Sequence, residues 1–107
     1  MLRVIRGDTW NLSWEWLHEN GDPVDLTDCT VRMQMRKQIN GSVSFENSTD
    51  LDMVIIPLEG IIDLKVEPDD TKELVGQYLY DVEVTFPDGT VVTPIISKID
   101  VIRDVTR

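Results

Sequence analysis

The stretch from Gln77 to Val101 constrains the chain more than any other. Tyr78, Tyr80, Val82, Val84 and Phe86 alternate with Leu79, Asp81, Glu83 and Thr85. That period of two predicts a strand with one buried face. Pro87-Asp88-Gly89 follows, and its residues suit a tight reversal, because glycine takes positive φ at little cost and aspartate tolerates it. A second β-rich run, Thr90 to Val101, is then expected to pair back against the first. An antiparallel hairpin of this length cannot stand alone in water and needs a sheet and a covering layer.

The rest of the chain supplies them in short pieces. Leu2 and Val4 alternate with Arg3 and Ile5 in a first short strand. Arg6-Gly7-Asp8-Thr9 reads as a turn; its first three residues match an adhesion tripeptide, but a Gly-Asp turn between strands accounts for them. From Trp10 the alternation is strong. Trp10, Leu12, Trp14 and Trp16 share one face, with Asn11, Ser13 and Glu15 on the other. Three indoles on one face predict packing in a core or between subunits, with each N–H seeking an acceptor. An exposed platform for stacking carbohydrate is the alternative.

His18 to Pro23 reads as a turn. Between Thr30 and Gln38, Val31, Met33 and Met35 face one way and Arg32, Gln34 and Arg36 the other. The arginines are expected to lie across from Asp81 and Glu83 as cross-strand ion pairs. Asn40-Gly41 signals a hairpin, Ser42 to Phe45 a short strand, and Glu46 to Asp50 a loop. Leu51 to Pro57 and Gly60 to Glu67 are strand candidates, and Pro68 to Leu74 reads as one helical turn with acidic residues at its start. The charged end, Ile102 to Arg107, is expected at the surface.

No helical pattern is long enough for a βαβ unit. The expectation is therefore an all-β fold: one antiparallel β-sandwich of immunoglobulin-like or jelly-roll-like type, or a small barrel, of about seven or eight strands with one short helical turn. Residues 1–107 make a single domain, since a chain of 107 residues can bury roughly two-thirds of its unfolded surface around one core. The Cys…Trp…Cys set of immunoglobulin domains is absent.

Charge and cysteine usage narrow the chemistry. The net charge of −10 disfavours free nucleic acid and fits either solubility or a basic partner, with Arg32, Arg36 and Lys37 as a local basic cluster. Cys29 is the sole cysteine, so no internal disulfide forms; it is expected as a small apolar filler. The first residues lack the apolar core of a secretory signal and no run approaches a membrane span, which predicts a protein made in the cytoplasm without a membrane partner. The sequons at Asn11, Asn40 and Asn47 read as coincidental on that view. His18, Asp69 and Asp70 are the residues from which a hydrolytic or metal site would have to be built; no ligand spacing accompanies them. No catalytic, cofactor-binding or metal-binding residue is assigned.

Three segments carry a resemblance: Arg6-Gly7-Asp8-Thr9-Trp10 opening a strand; Asp25 to Arg36; and Gly60 to Leu64, followed by Gly76 to Val84, Asp88 to Val91 and Ile102 to Arg107. Their order resembles the N-terminal β-sandwich domain of upper-baseplate proteins and related short structural proteins of tailed bacteriophages and prophages. The resemblance implies a non-enzymatic adaptor or accessory subunit of the virion, in tail, baseplate or neck. Such a subunit would assemble as a homo-oligomer and with other virion proteins, without cofactor, nucleic acid or membrane. Asp28 stands where such sequences often have glycine. The chain ends at Arg107, where upper-baseplate proteins usually continue into a stem, so a direct receptor-binding role is not expected. The interface candidates are Trp10, Trp14, Trp16, Arg32 and Arg36. A carbohydrate- or host-surface-binding module using the tryptophan strand is the alternative.

Overall fold

A computed structural model describes residues 2–104. Eight strands follow in order: β1 (Leu2–Ile5), β2 (Trp10–Glu15), β3 (Thr30–Arg36), β4 (Val43–Ser48), β5 (Met53–Ile56), β6 (Ile61–Val66), β7 (Gly76–Thr85) and β8 (Val91–Ile102). They form two facing sheets, a five-stranded sheet ordered β1-β8-β7-β3-β4 and a three-stranded sheet ordered β2-β6-β5. The fold is an all-β sandwich, as the alternation predicts. Two short 3-10 turns, Pro57–Glu59 and Pro68–Asp70, interrupt it. The second is the expected helical turn; the first was not anticipated.

The expected hairpin forms the longest ladder. Gln77 pairs with Asp100 and Thr85 with Val91. Gly89 takes a φ of 91°, closing the turn. Within the ladder Val82 lies opposite Ile95 and Val84 opposite Val92, so Thr93 and Pro94 together face Glu83. Proline has no N–H for the ladder, and a bulge of one extra residue accommodates it.

The core lies between the sheets. Tyr78, Tyr80, Val82 and Val84 from β7, Val31, Met33 and Met35 from β3, and Ile62, Leu64 and Val66 from β6 are all buried. Cys29 is buried with them, as a small filler.

Three features depart from the sequence expectation. The end from Ile102 was expected at the surface, yet Ile102 closes β8 and Asp104 is buried, while residues 105–107 lie outside the described residues. Glu46 to Ser48, expected as loop, belongs to β4 and pairs with β3. Asn47 is buried, accepts from the backbone N–H of Ser48 and Asp52, and donates to the Asp52 carboxylate, so it builds the bend into β5. Its sequon is therefore enclosed in the fold. The pairing of β1 with β8 is parallel, with Leu2 opposite Ile99 and Ile5 opposite Ile102. Residues near the two ends of the chain thus share one ladder, which the Arg6 guanidinium reinforces by donating to Asp104 at 2.8 Å.

Two backbone positions fix the loops. Gly60 has a φ of 64°, and a Cβ there would lie 2.5 Å from the Trp16 carbonyl oxygen. Among the described residues, Asp28 is the sole non-glycine with positive φ, at 60°. The turn keeps a left-handed geometry that glycine would adopt more freely, and aspartate is among the side chains that tolerate it.

Candidate interaction surface

The tryptophans lie inside. Trp10 and Trp14 are 3% and 8% exposed. The Trp10 indole donates to the Ile5 carbonyl oxygen at 2.9 Å, and the Trp14 indole to the Tyr80 hydroxyl at 3.2 Å. The Trp14 and Tyr80 rings sit 6.0 Å apart and tilted. Trp16 is half-buried against Phe86, also at 6.0 Å. Three strands face five, and large side chains on β2 reach across to β7 to fill the layer between them. Trp10 and Trp14 are thus core residues rather than interface residues. Trp10 and Trp14 therefore present no exposed ring on which carbohydrate could stack, and Trp16 is half-buried.

Arg32 and Arg36 do lie at the surface, on the outer face of the five-stranded sheet. Arg32 sits opposite Glu83 in the ladder and donates to its carboxylate at 3.1 Å, the pairing the alternation predicts. Both side chains are substantially solvated, so the pair contributes less than about 1 kcal/mol. Arg36 donates to the Gln34 side-chain oxygen at 2.8 Å, and Gln34 donates to Glu46 at 2.7 Å. Four cations (Arg3, Arg32, Arg36, Lys98) and four carboxylates (Glu46, Asp81, Glu83, Asp100) occupy this face. It is neutral on a chain that carries −10. The excess negative charge resides in the turns and, to a small extent, in the smaller sheet.

A shallow groove of about 360 Å³ crosses this face, lined by Arg32, Arg36, Leu79 and Asp81 and bounded by Ile39 and Ile96. Those two isoleucines are 79% and 76% exposed. Sequence reasoning missed them. Ile96 was within reach, because it alternates in register with Lys98 and Asp100 on the outward face of β8; Ile39 sits in a loop that no period describes.

β8 adjoins the groove. Among the described residues β1 pairs with Ile99 to Ile102, and Val91 to Lys98 pairs with β7 on one side and with no described strand on the other. Val91, Val92 and Ile96 are exposed along that stretch. A second apolar strip, Val54, Ile56 and Leu58, lies on β5 and the turn after it.

The groups that could carry chemistry are dispersed. His18, Asp69 and Asp70 are exposed in loops and a short turn. Among the described residues, no three His, Cys, Asp or Glu side chains converge as a metal site. Burial, with the nearby carboxylates of Asp25, Asp28 and Asp88, pushes the Cys29 thiol up and keeps it protonated. Asp25 and Asp88 are held below the ordinary carboxylate range by hydrogen bonds from Thr27 and Thr90, which close local turns. Arg6 of the Arg-Gly-Asp tripeptide is tied to Asp104. No described helix is long and apolar enough to cross a membrane.

No family model matches the chain, and no curated protein matches it. Among solved structures, the filamin domain of Lin-41 is similar over 92% of this chain and 81% of that one, at 17% identity and a TM-score of 0.47.

Proposed function

We propose that this chain is a non-enzymatic structural or adaptor subunit of a tailed-bacteriophage particle, in tail, baseplate or neck, working through assembly with copies of itself and with other virion proteins. The order of strand and turn motifs from Arg6 to Arg107 is the basis for the virion assignment. The observation that supports work by assembly is the distribution of exposed apolar residues. Ile96, Val91 and Val92 are exposed along a stretch of β8 that pairs with no described strand on the side away from β7, beside a charge-balanced face, while the core behind them is closed. Sheet edges and apolar patches are the means by which β-domains join symmetric neighbours.

The test is mass spectrometry of purified, intact particles from the source phage or induced prophage, with copy number measured against the major capsid protein. The expected result is stoichiometric presence at a small multiple of the particle's ring symmetry. Clean absence from intact particles would overturn the virion role.

A further inference from the structure

We infer that the outer face of the five-stranded sheet is a self-association site, on which a second copy of this chain packs face to face about a two-fold axis running along the diagonal from Leu79 to Ile96. The inference rests on the reading that the chain works by assembly, and it names the surface and the occupant.

Ladder register sets the pattern. On β7 and β8, Leu79 lies opposite Lys98 and Asp81 lies opposite Ile96. Tyr80, between Leu79 and Asp81, is buried in the core, so all four side chains project from the outer face. They occupy the corners of a rectangle about 5 Å across the strands and about 7 Å along them. Leu79 and Ile96 hold one diagonal, and Lys98 and Asp81 hold the other. A two-fold axis along the apolar diagonal brings Leu79 and Ile96 against the same residues of the second copy. The same operation carries Lys98 of each copy to Asp81 of the other, so one axis matches both apolar corners and both charges. The flexible lysine stem absorbs the difference between the two sides of the rectangle.

Other ions of this face are engaged within the chain. Arg32 is held by Glu83, Arg36 by Gln34, and Glu46 by Gln34. Among the described residues, Lys98 and Asp81 make no ion pair or side-chain hydrogen bond. Apolar surface surrounds them: Ile39 and Ile96 bound the groove that Leu79 and Asp81 line. Covering that surface excludes water and strengthens an ion pair formed across it.

Charge selects the occupant. The face holds as many cations as carboxylates, on a chain that carries −10. A partner of one sign is drawn to one end of the Lys98–Asp81 diagonal and repelled by the other. The occupant must present an acidic and a basic group flanking apolar ones at this spacing, and another copy of the face carries that set by symmetry. Five strands about 4.8 Å apart, sharing about seven residues of length, give a face of roughly 20 by 23 Å; two such faces reach the lower end of specific interfaces. The smaller sheet has no equivalent set. There Val54 lies opposite Asp63 and Ile56 opposite Ile61, so those four corners hold one carboxylate and no cation. Two copies meeting on them would leave each carboxylate against an isoleucine.

The experiment is sedimentation of the full chain across a wide concentration range, for the native sequence, for Lys98→Asp, for Asp81→Lys, and for an equal mixture of these two variants. Both side chains lie on the outer face, and melting curves verify that each variant folds. The expected result for the native chain is a concentration-dependent dimer. Its dissociation constant rises at least about tenfold in either variant, because two like-charge contacts replace two ion pairs. Mixing the two variants restores the dimer, since every contact in the mixed pair again joins opposite charges. Lys65→Asp, the same change in net charge on the smaller sheet, leaves the dimer in place. A monomer at every concentration would overturn the inference. So would a dimer that Lys98→Asp and Asp81→Lys leave intact, one that Lys65→Asp abolishes, or a mixture of the two face variants that stays monomeric. Stoichiometric presence in particles together with a monomer in solution would overturn the face pairing while leaving the virion role standing. Absence from particles together with a dimer that obeys the charge exchange would do the reverse.

Discussion

β8 is one strand with two fates. Ile99 and Val101 lie deep in the core, whereas Ile96 and Val91, of the same chemical type, stand in solvent. Their propensities and hydropathies are alike. The difference arises because Ile99 and Val101 point between the sheets, in register with Tyr78 and Gly76, whereas Ile96 and Val91, opposite Asp81 and Thr85, point to the outer face. An apolar, β-branched run thus defines a strand without defining which of its side chains face the core. Facing is set by the register against β7, which the bulge at Thr93 and Pro94 shifts by one residue.

The comparison is sharpened most by truncating one side chain on each face. Ile99→Ala is expected to cost about 2–5 kcal/mol, since a fully buried side chain leaves a cavity between the sheets. Ile96→Ala is expected to change stability by less than about 0.5 kcal/mol. Denaturant unfolding of the two variants reads both values, and equal losses would break the distinction.

A smaller effect is expected where the sheets are joined across the core. Trp14→Phe removes the buried donor to the Tyr80 hydroxyl and part of the indole's volume, at a cost of about 1–3 kcal/mol. Chemical denaturation measures it, and a neutral result would mean that the covered region does not depend on this cross-sheet bond.

The covered region also carries a pH signature. The Cys29 thiol is raised by burial and by Asp25, Asp28 and Asp88, so its protonated form is favoured in the fold. In the unfolded chain it ionises at lower pH, and the folded state then holds more protons than the unfolded one. Stability is therefore fully present below the ordinary thiol range and declines as pH rises through it. Cys29→Ala should remove that alkaline slope in melting curves recorded against pH. An unchanged slope would place its origin elsewhere.

The smallest effect belongs to the exposed outer face. Arg32→Ala should cost less than about 1 kcal/mol and leave the melting curve nearly unchanged, because the ion pair with Glu83 is solvated on both sides.

Much of this architecture was legible in the sequence. The alternation of Tyr78 to Val84 and of Val31 to Met35, the Pro87-Asp88-Gly89 turn, and the opposition of Arg32 and Glu83 follow from local period and turn chemistry. So does the demand of Trp10 and Trp14 for acceptors. What local pattern could not supply was long-range pairing. The parallel match of Leu2 to Ile99, and the tie of Arg6 to Asp104, depend on residues some hundred positions apart. The strand from Glu46 to Ser48 was hidden by polar residues, because it is an edge strand whose outward side faces solvent and whose inward Asn47 serves a turn. Of the five interface candidates, Arg32 and Arg36 are on the surface, while Trp10 and Trp14 are core and Trp16 is half-buried. A strand rich in tryptophan reads the same whether the rings face inward or out.

The most direct measurement is amide hydrogen exchange of the full chain, read residue by residue at low and high protein concentration. If the exposed apolar stretch of β8 serves assembly, amides in Ile99 to Ile102 exchange slowly at every concentration, and amides in Ile95 to Lys98 become slower as concentration rises. Exchange in Ile95 to Lys98 that does not respond to concentration, with protection gained instead along β5, would contradict the account.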